Sequence, residues 1–139
     1  MITLEDKIAI GELVARFAHC SDYGDWSALE KLYTPDVETE MEGVALCFRG
    51  IAEQVEHAKV SERHAEGKNR HYNFNLVVSE EGGQVFADYM FMNVNAGHVA
   101  MGAKIVVTGR MRDTVVKMAD GWKIARRFVR FDQNVDVTE

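Results

Sequence analysis

An α+β fold, with a curved antiparallel sheet wrapped against N-terminal helices, is predicted by three observations. Up to His64, the stretch from Val37 to Arg49 apart, the apolar residues recur mostly at spacings of three and four, the period of a helix with one buried face. Beyond Arg70 they alternate with period two, as in strands. The alternating runs are separated by EEGGQ and Asp120-Gly121, which are hairpin signals.

Each element follows from local chemistry. Thr3 and Asp6 form a short capping box, starting the first helix near Leu4. Its apolar members are Ile8, Ile10, Leu13, Val14 and Phe17, and it closes at Asp22. Asp25 reads as the N-cap of a second helix with Trp26, Leu29, Leu32 and Tyr33 on its apolar face, stopping before Pro35. Of these two neighbouring carboxylates, Asp25 holds a helix end and Asp22 has no obvious structural duty beyond capping the loop after the first helix. Val37 to Arg49 reads as a hairpin turning at Gly43, and Gly50 introduces a third helix carrying Ile51, Val55 and Ala58. HAEGKN, from His64 to Asn69, is a polar loop.

RHYNFNLVVS opens the sheet, with Tyr72, Phe74 and Leu76 on one face and His71, Asn73 and Asn75 on the other. QVFADYMFMNVN is the next strand, and NAGHVAMG a loop or bulge fit for a cavity mouth. A long strand from Lys104 to Met118 then pairs with Trp122 to Asp132. With 139 residues, 47% of them hydrophobic, and neither repeat nor linker, the chain suits one domain spanning residues 1–139.

A formal charge of −6 argues against nucleic-acid binding, which needs a basic face, and favours a small-molecule or protein partner. No apolar run reaches membrane-span length, so no membrane partner is expected. The opening MITLEDKIAI has no basic flank and apolar stretch of the signal-peptide kind, and the expectation is a cytoplasmic protein. Cys20 and Cys47 belong to no zinc-spaced cluster, and the five histidines show no ligand spacing, so neither a metal nor a cofactor is expected.

A sheet curled against helices leaves a cone whose mouth can hold a ligand, and Phe17, Phe48, Phe74, Tyr89, Phe91, Met92, Met101 and Phe128 are available to line it. The same residues also suit an ordinary core. His71 lies on the polar side of its strand, where Asp22 can reach it from the helix corner. A carboxylate on one ring nitrogen fixes the tautomer and raises the basicity of the other. A strand-edge histidine bonded to backbone or solvent fits the same residues. In ARRFVRFD, alternation puts Arg126 and Arg130 on one face and Arg127 on the other, so at most one set can point into a cavity, where a guanidinium would stabilise a developing anion; a solvated edge or an ion pair with an acid fits the same residues. His98 stands in the loop at the mouth, and His57 on the charged face of the third helix.

In the order of FAHCSDYGDWSALEKLYTPDV, FRG, RHYNFNLVV, GRMRD and DGWKIARRFVRFD, the chain resembles the NTF2-like superfamily. Within it, the likeness is to the SnoaL-like group that includes scytalone dehydratase, bile-acid 7α-dehydratase and hexachlorocyclohexane dehydrochlorinase. That resemblance implies a cone-shaped cystatin-like α+β barrel, a dimer or trimer, and a catalytic Asp–His pair matching Asp22 and His71. It implies a last-strand arginine matching Arg127 in the dehydrochlorinase pattern, or one nearer Arg130 in the bile-acid enzyme. Phe17 stands where several dehydratases carry a tyrosine, leaving Tyr23 as its substitute, and His98 matches a second histidine by position only. The activity implied is cofactor-independent β-elimination from a small, apolar, ring-containing substrate. The expected substrate contacts are Phe17, Tyr23, Tyr89, Phe91, His98 and Met101. A ketosteroid-type isomerase is the near alternative. A ligand-binding module, or an assembly subunit like the small chain of ring-hydroxylating dioxygenases, is the alternative of another class.

Overall fold

In a computed structural model, residues 1–43, 47–99 and 102–133 are described. The chain is α+β, with helices α1 (Leu4–Tyr23), α2 (Trp26–Glu30) and α3 (Gly50–His64). Strands β1 (Tyr33–Met41), β2 (Cys47–Arg49), β3 (Asn69–Glu81), β4 (Gln84–Val99), β5 (Gly102–Met118) and β6 (Gly121–Phe131) form one sheet in the order β2-β1-β6-β5-β4-β3. All neighbours are antiparallel except β1 and β6. Among the described residues, no helix is long and apolar enough to cross a membrane.

The capping box forms as its spacing predicts: Asp6 N–H donates to Thr3 Oγ1 (3.1 Å) and Thr3 N–H to Asp6 Oδ2 (3.0 Å). Asp6 also accepts from Lys117 Nζ (2.8 Å) and Trp122 Nε1 (3.1 Å), tying the start of α1 to the β5–β6 hairpin. The Lys117 ammonium first, with the Thr3 amide and Trp122 indole, holds the Asp6 carboxyl well below the usual carboxylate range. α1 lays Ile10, Leu13 and Val14 into the core, which Leu29, Val37, Phe91, Val115, Ile124 and Val129 complete. Ile8, expected on the same face, is exposed.

Three differences from the expected elements matter. α2 is five residues long: Leu32 closes it in a turn, its N–H on the Leu29 carbonyl (3.1 Å), and Tyr33 opens the strand that follows, the Ile124 N–H already bonding the Leu32 carbonyl (2.8 Å). Pro35 accordingly lies within β1, in the stretch between Tyr33 and Glu38 where the register with β6 breaks and no ladder donor is required. NAGHVAMG does not leave the sheet at once, because β4 continues to Val99 through a register shift between Asn95 and Val99. The third difference is in β3, where an extra residue sits between Phe74 and Val77 opposite Met90 and Asp88. Asn75 there has φ 58°, a left-handed conformation that asparagine tolerates better than most residues. Before this bulge His71 and Asn73 face inward and Tyr72 and Phe74 outward; beyond it Leu76 and Val78 pack on the core. Phe74, expected among the cavity residues, is 40% exposed on the outer face.

Candidate functional site

Between α1, α3 and the concave face of the sheet lies a cavity of about 250 Å³. That is slightly below the roughly 300–1,000 Å³ of drug-sized ligand sites, and suits a small molecule.

Asp22 enters it from the last turn of α1. The helix ends because Gly24 takes a left-handed conformation (φ 69°) at the C-cap, turning the chain away and leaving the Asp22 side chain against β3. Both of its oxygens go to one residue: Oδ2 accepts the His71 backbone N–H (2.9 Å), and Oδ1 lies 2.5 Å from His71 Nδ1. A carboxylate at Nδ1 favours the tautomer with the proton on that nitrogen, leaving Nε2 as an acceptor. Both residues line the cavity.

Phe17 links this pair to the floor. Its ring lies edge-on to the His71 imidazole, centroids 6.0 Å apart, and the Arg127 guanidinium carbon lies 3.9 Å from its centroid on the other side. Alternation left open which arginine set faces inward. Arg127 does, at 4% exposure, while Arg126 and Arg130 point outward and pair with Glu40 and Glu42. Arg127 Nε and Nη2 each donate to Asp113 at 2.8 Å, Nη2 also donates to Tyr89 Oη (3.0 Å), and Tyr89 O–H donates to Asp113 (2.9 Å). Burial alone would weaken the Arg127 charge, and Asp113, fully buried, more than restores it. Burial raises the Tyr89 phenol well above its ordinary value and pushes Tyr33, in the cavity wall, up to about 12. Both phenols stay neutral donors at neutral pH.

The other expected contacts divide. Phe91 and Phe17 line the cavity. Tyr89 lies beneath it as part of the Arg127 network and is not in its wall. Tyr23 is corrected: it is 71% exposed, outside the cavity, with the Arg70 guanidinium 5.5 Å from its ring centroid, because as the last residue of α1 it lies on the helix face turned to solvent. It cannot replace the tyrosine that Phe17 displaces. Met101 lies outside the described residues, as does the side chain of His98.

Sequence reasoning missed three polar groups. His57 lies in the wall, stacked on Phe48 at 4.1 Å, and burial, then the nearby His71, lowers its pKa. Gln54, His57 and Ser61 repeat at helical spacing, a polar stripe that could have been found beside Ile51, Val55 and Ala58. Asn93 is the cross-strand partner of His71, a pairing the hidden register obscured. Asp113, a lone acid at an inward position among apolar neighbours, carried a readable signal as a buried charge needing a cation.

Comparisons with known proteins agree with this architecture. A family model described as a SnoaL-like domain matches residues 3–128. An NTF2-like protein with a cystatin-like fold from Novosphingobium aromaticivorans superposes with a TM-score of 0.83 at 25% identity, over 95% of this chain and 85% of its own. A protein proposed to be an aromatic ring hydroxylase, from the same organism, gives 0.75 at 25% identity over 98% and 95%. A structure from Catenulispora acidiphila in complex with S-DNPA gives 0.74 at 24% identity over 91% and 92%, a likeness of fold. No curated protein matches the chain by sequence.

Proposed function

Since the chain belongs to the SnoaL-like domain family, we propose that it is a cofactor-independent lyase eliminating a β-leaving group from a small, largely apolar, ring-containing substrate. The observation that carries this reading is the engagement of both Asp22 oxygens by His71 at the edge of a largely apolar cavity. His71 Nε2 takes a proton from carbon, the C–H electron pair becomes the new C=C bond, and halide or hydroxide leaves with its own bonding pair, hydroxide taking the proton back from His71 to depart as water. Asp22 stabilises the imidazolium so formed. Arg127 Nη1, which has no hydrogen bond among the described residues, is the donor for the departing anion. Asp113 already offsets its charge, so this help is a local hydrogen bond more than a net positive field.

Exposed Tyr72, Phe74 and Met90 on the outer sheet face support association of copies into a dimer or trimer, which sedimentation would read. The activity is tested by offering cyclic β-hydroxy and β-halo ketones and weighing the product. Loss of water or hydrogen halide supports elimination; a product of unchanged mass but altered double-bond position supports an isomerase. Full turnover by folded Asp22→Asn and His71→Ala proteins would overturn the mechanism. A ligand recovered unchanged, and bound equally by both variants, would make the chain a binding module.

A further inference from the structure

Elimination as proposed uses Asp22, His71 and Arg127 and leaves a second imidazole of the same cavity idle. α3 brings His57 and Ser61 into the cavity wall. Four residues apart on one helix, their side chains are neighbours on its inner face. Both residues are half-buried, and neither the His57 ring nor Ser61 Oγ is hydrogen-bonded among the described residues. The side-chain oxygens there that are both unpartnered and sealed from solvent lie elsewhere, on Ser21, Thr34, Asn73 and Asn93. His57 and Ser61 are therefore open to a guest.

Their position is fixed by their neighbours. One turn before His57, Gln54 Nε2 donates to the Phe48 carbonyl (3.1 Å) and Gln54 Oε1 accepts from Thr39 Oγ1 (2.8 Å), tying α3 to β2 and β1. The Phe48 ring then stacks on the His57 imidazole, centroids 4.1 Å apart, and holds its plane. α3 packs on β1 and β2 at one end of the sheet order, whereas α1 packs on β3 at the other. The two imidazoles thus enter one cavity from opposite ends of the sheet. Burial, then the charge of His71, disfavours an imidazolium at His57, so His57 stays neutral while Asp22 stabilises the one formed at His71.

We infer that His57 and Ser61 form a binding edge for a neutral oxygen substituent, so that the substrate is an oxygenated ring with a carbonyl or hydroxyl against α3 and its reacting carbon against His71. The reacting carbon rests on the elimination reading; the binding edge rests on the placement of the α3 residues alone. A neutral imidazole has one N–H donor and one acceptor nitrogen, and a serine hydroxyl gives and accepts, so a carbonyl or a hydroxyl is answered by either. A hydrocarbon or halocarbon end leaves both without a partner. A carboxylate is disfavoured, because Glu62 adjoins Ser61 in the wall, and Asp113 and Asp22 already offset Arg127 and His71.

The test is binding without turnover. 2-Naphthol, 2-methylnaphthalene and 2-naphthoate place a hydroxyl, a methyl or a carboxylate at one ring position, and each is titrated into the whole protein while the ring ¹⁵N signals of His57 are followed. The wild type is expected to bind 2-naphthol at least about tenfold more tightly than 2-methylnaphthalene, about 1.4 kcal/mol, and to shift the His57 signals with 2-naphthol alone. His57→Phe keeps an aromatic ring on Phe48 without the nitrogens, and the preference should fall below about threefold. Ser61→Ala, a smaller change that barely disturbs the fold, should reduce it in part. Equal binding of 2-naphthol and 2-methylnaphthalene overturns the edge, as do unmoved His57 signals or failure of 2-naphthol to bind saturably. Tightest binding of 2-naphthoate overturns the neutral class. A preference lost in His71→Asn but kept in His57→Phe places the oxygen on the Asp22–His71 pair and overturns the edge too. Because no reaction is read, the edge can fail while elimination stands, and elimination can fail while the edge stands.

Discussion

Asp22 spends its whole carboxylate on His71, one oxygen on the backbone N–H at 2.9 Å and the other on Nδ1 at 2.5 Å. The first bond places the residue and the second orients its ring, so a single side chain docks the helix end to the strand and selects the imidazole tautomer. Asp22→Asn retains one acceptor for the backbone N–H and turns an NH₂ donor toward Nδ1. Expected is a neutral His71 switched to the Nε2-protonated tautomer, read directly by ¹⁵N chemical shifts of the ring. Turnover in elimination should fall by about 10²–10⁴ with the fold intact. An unchanged tautomer in the variant would dissociate Asp22 from ring orientation.

The Arg127–Asp113–Tyr89 network predicts a graded loss of stability. Asp113→Ala leaves a buried guanidinium without its counter-ion and is expected to cost about 3–5 kcal/mol in urea denaturation. Tyr89→Phe removes one hydroxyl shared between two charged partners and should cost about 1–3 kcal/mol. Asp113→Leu combined with Arg127→Met, which removes both charges, should be less damaging than Asp113→Ala alone. If the double variant is the worse, the pair stabilises by more than mutual compensation.

Burial, reinforced by His71, lowers the His57 pKa below the ordinary 6.5. The unfolded chain then binds a proton at His57 that the folded chain resists. This contribution is absent above the ordinary value, and it costs stability progressively as pH falls from there toward the folded value. The urea midpoint should accordingly drop between about pH 7.5 and about pH 5, and His57→Gln should flatten that slope. A slope unchanged in the variant would assign the pH dependence to other groups.

Gly109 lets Phe91 lie flat across β5. A Cβ at this position would overlap the Arg130 carbonyl oxygen and come within 2.7 Å of two atoms of the Phe91 ring. The carbonyl belongs to the sheet and cannot yield, and the ring can move only toward the cavity. Gly109→Ala is expected to cost about 1–3 kcal/mol in thermal or urea unfolding and to weaken binding of any ligand that touches Phe91. A fully stable variant with unaltered binding would show that the strand can shift there.

What was legible in the sequence depended on range. The Thr3–Asp6 box, the Asp25 cap and the Gly82-Gly83 and Asp120-Gly121 turns are decided within a few residues, and each lies where its chemistry predicted. Arg127 and Arg126 were separable because neighbouring strand residues must face opposite sides, though which side was inner depended on the whole sheet. The parallel docking of β1 on β6 joins segments some 90 residues apart and left no local mark. Tyr23 was misplaced because the phase of the last helical turn, which sets Asp22 against β3, carries its neighbour to solvent. His57 was misread because its helix turns a polar stripe inward, a choice made by the cavity and against simple amphipathicity.

The extra residue at Asn75 sets the parity of β3. Before it, odd-numbered positions belong to the interior and bring His71 and Asn73 there; after it, even-numbered positions do and bring Leu76 and Val78. One continuous strand is thereby read in two frames, the first turning polar side chains to the interior and the second an ordinary apolar core. The boundary between polar and apolar interior is thus a step of one residue in the backbone, with no need for a separate loop or domain to keep the two apart.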